Sequence, residues 1–208
     1  MQIQALATLE NTHQSPQIMT EKTFIDAASL QEDSFKLAAN IMESDFRPTF
    51  IVGMWRGGAA IGVTVQELLA YCGCETDHIA IRTSSYTGIG ERDRNIRVHC
   101  LNYLINNIKA EDNLLIVDDV FDSGLSLQEV IRQIKARCGE NAPQQICTAT
   151  LYYKPGNNEV DFEPDYYLYE SDKWLVFPHE LDGLTADELC EHKPGIAAIK
   201  QWLLTSHH

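Results

Sequence analysis

Residues 113–130, NLLIVDDVFDSGLSLQEV, constrain the fold more than any other stretch of this chain. Leu114, Leu115, Ile116 and Val117 are consecutive and apolar, so a strand here buries both faces and needs cover on each side of a sheet. Asp118 and Asp119 stand where that strand leaves the sheet. Asp122-Ser123-Gly124-Leu125-Ser126 then turns into a helix, LSLQEVIRQIKARCG, stopped by Gly139. The same alternation recurs elsewhere. TFIVGM (49–54) reads as a strand that turns at Arg56-Gly57-Gly58 into the helical AAIGVTVQELLAYCG, while DHIAIRTSSY, IRVHCL, QICTATLYYK, DYYLYE and KWLVFP read as further β segments. Leu30, Phe35, Leu37, Ala38, Ile41 and Met42 carry helical spacing from Ser29 onward, closed by Pro48, and the tail from Ala186 is helical with Pro194 dividing it. Short buried strands alternating with amphipathic helices predict an α/β fold, a mostly parallel twisted sheet flanked by helices. In such sheets ligands sit beyond the carboxyl ends of the strands, and every unusual loop of this chain falls there.

A length of 208 residues accommodates one good-sized core with an appendage. The expected division is an N-terminal arm over 1–28, the α/β core over 29–160 and a C-terminal unit over 161–208. Thirty acids against sixteen Lys and Arg, a net charge of −14, argue against nucleic-acid binding and against adsorption to anionic membranes. No apolar run approaches the roughly 20 residues that span a bilayer. The opening MQIQALATLENTHQ lacks a basic start followed by an apolar core, so a cytoplasmic protein is expected, with its six cysteines reduced.

Neighbouring carboxylates such as Asp118 and Asp119 can grip a vicinal diol by accepting its O–H bonds, and can hold Mg²⁺ directly or through its waters. The free N–H groups of the 122–126 turn, its Ser hydroxyls and the helix dipole make a phosphate cradle, and Gly124 supplies the backbone freedom such a nest requires. One segment thus offers a diol grip beside a phosphate grip, as a ribose 5-phosphate demands. Taken alone, an acidic turn of this kind is more often a solvated helix start than a site. A phosphorylation receiver also ends a strand with acid, but its acidic pair belongs at the start of the domain, not past the midpoint.

LLIVDDVFDSGLS strongly resembles the phosphoribosyl-pyrophosphate (PRPP) signature of type I phosphoribosyltransferases, complete at the level of residue type. The resemblance covers roughly residues 35–180, and other parts follow in family order. GMWRGG resembles the pyrophosphate loop, implying that Arg56 and the amides of Gly57 and Gly58 face the diphosphate; Trp55 stands where Ser or Ala is more usual, in a loop that often holds a cis peptide. SSYTGIGERDRN looks like the mobile catalytic loop, with the Ser85-Tyr86 pair and with Arg92 and Arg94 as diphosphate contacts. TLYYKPG resembles the segment whose lysine, here Lys154, recognises the exocyclic oxygen of a 6-oxopurine. SDKWLVFPHE resembles the C-terminal hood, making Trp174 the stacking ring and the Leu175 backbone a contact to the base edge. His179 stands where an aromatic is frequent, and Glu180 where some members place an acid near a second Mg²⁺.

The resemblance implies transfer of 5-phosphoribosyl from PRPP to N9 of hypoxanthine, guanine or xanthine, with release of pyrophosphate and Mg²⁺ as cofactor. It assigns Asp118 and Asp119 to the ribose diol and the metal, Asp122 to the base, Ser123, Gly124, Leu125 and Ser126 to the phosphate, and Arg56, Ser85 and Tyr86 to the reacting centre. It also implies a homodimer or homotetramer. Two rivals share the fold: a non-catalytic PRPP-sensing regulator, and a phosphoribosyltransferase acting on another base. A DNA-binding regulator would bring a basic helix-turn-helix, whereas the residues ahead of TFIVG contain only Lys22, Lys36 and Arg47.

Overall fold

The computed structural model describes residues 21–86 and 95–196. Its elements in chain order are β1 (Lys22–Phe24), α1 (Ala27–Glu43), β2 (Phe50–Trp55), α2 (Gly57–Tyr71), β3 (Asp77–Tyr86), β4 (Asn95–His99), α3 (Asn102–Asn107), β5 (Asn113–Phe121), α4 (Leu125–Cys138), β6 (Gln145–Tyr153), β7 (Tyr169–Glu170), β8 (Trp174–Val176) and α5 (Ala186–His192). Six strands form one sheet in the order β4-β3-β2-β5-β6-β7. Every neighbouring pair is parallel except β3 and β4, which form an antiparallel edge. This is the α/β architecture that the buried apolar run of β5 demands.

The two faces of β5 explain the layering. Leu114 and Ile116 enter a core with Phe50, Val52, Met54, Ile81, Val130 and Ile134, beneath α3 and α4. Leu115 and Val117 point the other way, into a second core with Leu37, Ile41, Ile61, Val65 and Leu69 from α1 and α2. Alternation with period two therefore continues inside a run that is apolar throughout, because each face has its own helical cover.

Three local features lie outside what hydropathy pattern discloses. Helix α1 begins two residues before Ser29, because Asp26 Oδ1 accepts from the N–H groups of Ala28 and Ser29 at 2.9 Å each. Helix α3 is a single short turn region between β4 and β5 that no periodicity announces. Finally, β1 lies within the stretch expected as an arm, yet it pairs in parallel with β8 to make a separate two-stranded sheet, Lys22 opposite Trp174 and Phe24 opposite Val176. Ile25, Leu175 and Phe177 anchor this small sheet onto Val120 and Tyr152, beside the acidic end of β5.

Candidate active site

Asp118 and Asp119 are half-buried where β5 passes the end of its pairing with β2. The turn from β2 into α2 lies directly against them. A Cβ added to Gly57 would fall 1.7 Å from Asp119 Oδ2, and one added to Gly58 would fall 2.2 Å from the Val117 carbonyl oxygen and 2.7 Å from Asp118 Cα. Only glycine permits this approach, so the Arg56-Gly57-Gly58 turn is shaped by the neighbouring strand as well as by its own dihedrals. The Trp55–Arg56 peptide bond is cis. Arg56 is exposed at the start of α2, and the Gly58 backbone N–H favours the charged form of Asp118, weakly against the larger effects that raise it.

Desolvation pushes the Asp118 carboxyl well above the usual carboxylate range, and the charge of Asp119 pushes it further. Asp119 is raised as well, by its own desolvation first and by the charge of Glu180. The charge of Glu180, from the segment after β8, thus reaches Asp119, although the described residues hold no cluster of three acids that could bind a metal ion. Glu180 is held in turn by the Phe177 N–H, which donates to its Oε2 at 3.0 Å. His179 lies close enough to offset part of the charge on Asp119.

Beyond Asp119 the chain bends through Asp122 to Gly124. Gly124 adopts a left-handed conformation at φ 76°, and an added Cβ would strike Val160 Cγ2 at 2.5 Å and the Phe121 ring at 2.7 Å. Ser123 Oγ accepts from the Leu125 N–H at 3.4 Å. A cavity of about 100 Å³, lined among others by Asp118, Asp122, Ser123, Gly124 and Ser126, opens over the first turn of α4. That turn's N–H groups have no partner within the helix, and the dipole favours an anion there.

Asp122 faces β6 and the loop after it. Its carboxylate accepts from Lys154 Nζ at 3.3 Å and from Asn157 Nδ2 at 2.6 Å. Lys154 itself is tied to β5, its backbone N–H donating to the Phe121 carbonyl at 2.9 Å. Asn157 had no signal in the sequence, since a lone Asn in KPGNN reads as turn chemistry.

Trp174 opens β8 and is 44% exposed, whereas Leu175 is buried against Ile25 and Phe177. Ser85 and Tyr86 close β3, their backbones paired with Ile96 and Asn95. Arg92 and Arg94, expected in the catalytic loop, lie outside the described residues. The described site residues therefore form two groups: one around Asp118, Asp119, Gly57, Gly58 and Glu180, the other around Asp122, Lys154 and Asn157. The small sheet bearing Trp174 and Leu175 is docked beside them.

A family model of the phosphoribosyl transferase domain matches residues 26–182. No curated protein sequence matches the chain. Among solved structures, the purine phosphoribosyltransferase of Pyrococcus horikoshii OT3 is 25% identical with a TM-score of 0.63, the match covering 79% of this chain and 97% of that one. The xanthine-guanine-hypoxanthine phosphoribosyltransferase of Helicobacter pylori is 18% identical with a TM-score of 0.61, covering 83% and 100%. A hypothetical protein of Neisseria gonorrhoeae with bound ppGpp is 19% identical with a TM-score of 0.64, covering 84% and 96%. At those identities the last two are likenesses of fold.

Proposed function

The chain belongs to the phosphoribosyl transferase family, and from that premise we propose that it transfers 5-phosphoribosyl from PRPP to N9 of a 6-oxopurine, releasing pyrophosphate. One observation carries the proposal: paired carboxylates pressed between a glycine turn on one side and a helix-start nest on the other. The first arrangement suits a diphosphorylated ribose carbon, the second a 5-phosphate. In the proposed reaction the C1–O bond to diphosphate breaks as the bond from C1 to the purine N9 forms, through an oxocarbenium-like transition state.

Asp118 and Asp119 accept the ribose hydroxyls, and Ser123 to Ser126 receive the 5-phosphate. Arg56 and the Gly57 amide meet the charge that develops on the leaving diphosphate, by preorganised electrostatics. Asp118 and Asp119 suit a hard dication chemically: they offer oxygen only, and desolvation raises both, with the charge of Asp119 adding to Asp118 and that of Glu180 to Asp119, although no three such groups among the described residues are gathered closely enough to hold a metal ion. Asp118 and Asp119, with Glu180 as a further acid, would hold Mg²⁺, which would neutralise the diphosphate. Lys154 donates to the exocyclic oxygen of the base, Trp174 stacks on it, and the Leu175 backbone meets its edge. Asp122, oriented by Lys154 and Asn157, accepts a hydrogen bond or the departing proton from the imidazole side of the purine. Ser85 and Tyr86 belong to the loop that excludes water.

A homodimer or homotetramer and a cytoplasmic setting are part of the same proposal. No helix among the described residues is long and apolar enough to cross a membrane.

Incubation with PRPP, Mg²⁺ and a panel of bases tests the assignment. Hypoxanthine, guanine or xanthine is expected to be consumed with stoichiometric pyrophosphate. Turnover of adenine, orotate or uracil alone would move the chain to another base. PRPP binding without any turnover would make it a sensor.

A further inference from the structure

Lys22 lies on β1, 96 residues from Asp118 in the chain and without a part in the chemistry above. Its Nζ sits over the Trp174 indole, 4.9 Å from the ring centroid. It also donates to the Gly183 carbonyl at 3.1 Å and to the two Glu188 carboxylate oxygens at 2.9 and 3.0 Å. The Lys22 side chain is only 18% exposed, so this is not a loose surface pair of the kind that contributes little.

Each partner is itself fixed. Glu188 belongs to the capping box of α5, its Oε2 accepting from the Thr185 N–H at 2.8 Å while Thr185 Oγ1 accepts from the Glu188 N–H at 3.2 Å. Gly183 has φ 74°, and an added Cβ would come within 3.3 Å of Trp174 Cζ2. Phe24, two residues beyond Lys22, stacks on His192 at the end of α5 with centroids 3.8 Å apart. Three segments distant in sequence therefore meet on one indole, and a large part of that residue stays exposed.

We infer that Lys22, bridged to Glu188 and Gly183, is a positioning residue for base recognition: it covers one face of Trp174, sets the plane of the ring and leaves the opposite face for the purine. The inference rests on the proposed role of Trp174 as the stacking ring. A cation held over one face also keeps a second aromatic from occupying it, so stacking is one-sided.

The test is a comparison of Lys22→Ala, Lys22→Met and Lys22→Arg with the unaltered protein. Loss of a partly desolvated cation–π contact predicts that KM for the base rises about tenfold in Lys22→Ala. KM for PRPP stays where it was, Lys22→Met is intermediate because it keeps the aliphatic cover, and Lys22→Arg restores the base KM. An unchanged base KM in Lys22→Ala overturns the inference, as does a parallel rise in both KM values that Lys22→Arg leaves unrescued. A second readout does not depend on turnover. With Trp55→Phe and Trp202→Phe, Trp174 is the only indole left of the three. Lys22→Ala should then shift its emission and raise its quenching by acrylamide, and unaltered emission and quenching overturn the clamp. Should the unaltered protein consume no base, the base-site proposal fails, and quenching alone decides whether Lys22 holds Trp174.

Discussion

The acidic end of β5 and the small sheet of β1 and β8 are built on opposite principles. At the first, backbone meets backbone: Gly58 sits so close to Val117 that no side chain fits between them, and the functional acids are neighbours in sequence. At the second, long side chains from Lys22, Trp174 and Glu188 make the contacts, across 166 residues between the outermost two. The first is rigid because it is assembled from buried strands and a glycine turn, and it places two negative charges where burial disfavours them. The second is partly exposed and held by opposite charges. Preorganised charge belongs on the rigid part, whereas a ring that must admit and release a base belongs on a part anchored by adjustable side chains.

The strongest way to break this contrast is Asp118→Asn with Asp119→Asn. Turnover should fall by about a thousandfold or more, as when a preorganised charged site is removed. Circular dichroism and thermal unfolding should show the fold retained, since the two charges removed are ones that desolvation already opposes. Turnover near the original level would sink the assignment of these acids.

Gly58→Ala attacks the same region through sterics alone. Its Cβ would meet the Val117 carbonyl and the Asp118 backbone, neither of which can rotate away. Overpacking of this kind should cost about 3 kcal/mol, read as a lower urea midpoint at unchanged slope. An unshifted midpoint would show that the turn has room the geometry denies.

The smallest effect is a pH signature of the second region. The Lys22 ammonium beside Glu188 holds that carboxyl down at about 2. A depressed folded-state value means that the pair's contribution is fully present above the ordinary glutamate range near 4.5 and is lost as pH falls towards about 2. Acid titration of unfolding should therefore show a step in that window which Glu188→Gln abolishes. Persistence of the step in Glu188→Gln would assign it to other carboxyls.

The two regions also differ in how far they could be read in advance. Leu114 to Val117 followed by two acids announces a buried strand and a site at its end, because burial, strand period and the exit of charge are all local. Gly124 is legible for the same reason, since a nest before a helix calls for glycine. Asp26 as the cap of α1 is legible only once the helix start is known. Asn157 and Lys22 carry no local signal. Each acts through a partner 35 or more positions away, Asp122 for Asn157 and Glu188 for Lys22, and pattern within a window is blind to that.

By itself, then, the order of residues determined the α/β class, the strand from which the acids emerge and the nest that follows them, because hydropathy period and backbone freedom act over a few residues. Only the tertiary structure decided that Gly57 and Gly58 press on those acids, that Asn157 and Lys154 share Asp122, and that β1 completes the sheet of Trp174. Those contacts depend on how β2, β5 and β6 are aligned and on what closes over their ends, and packing between distant segments sets both.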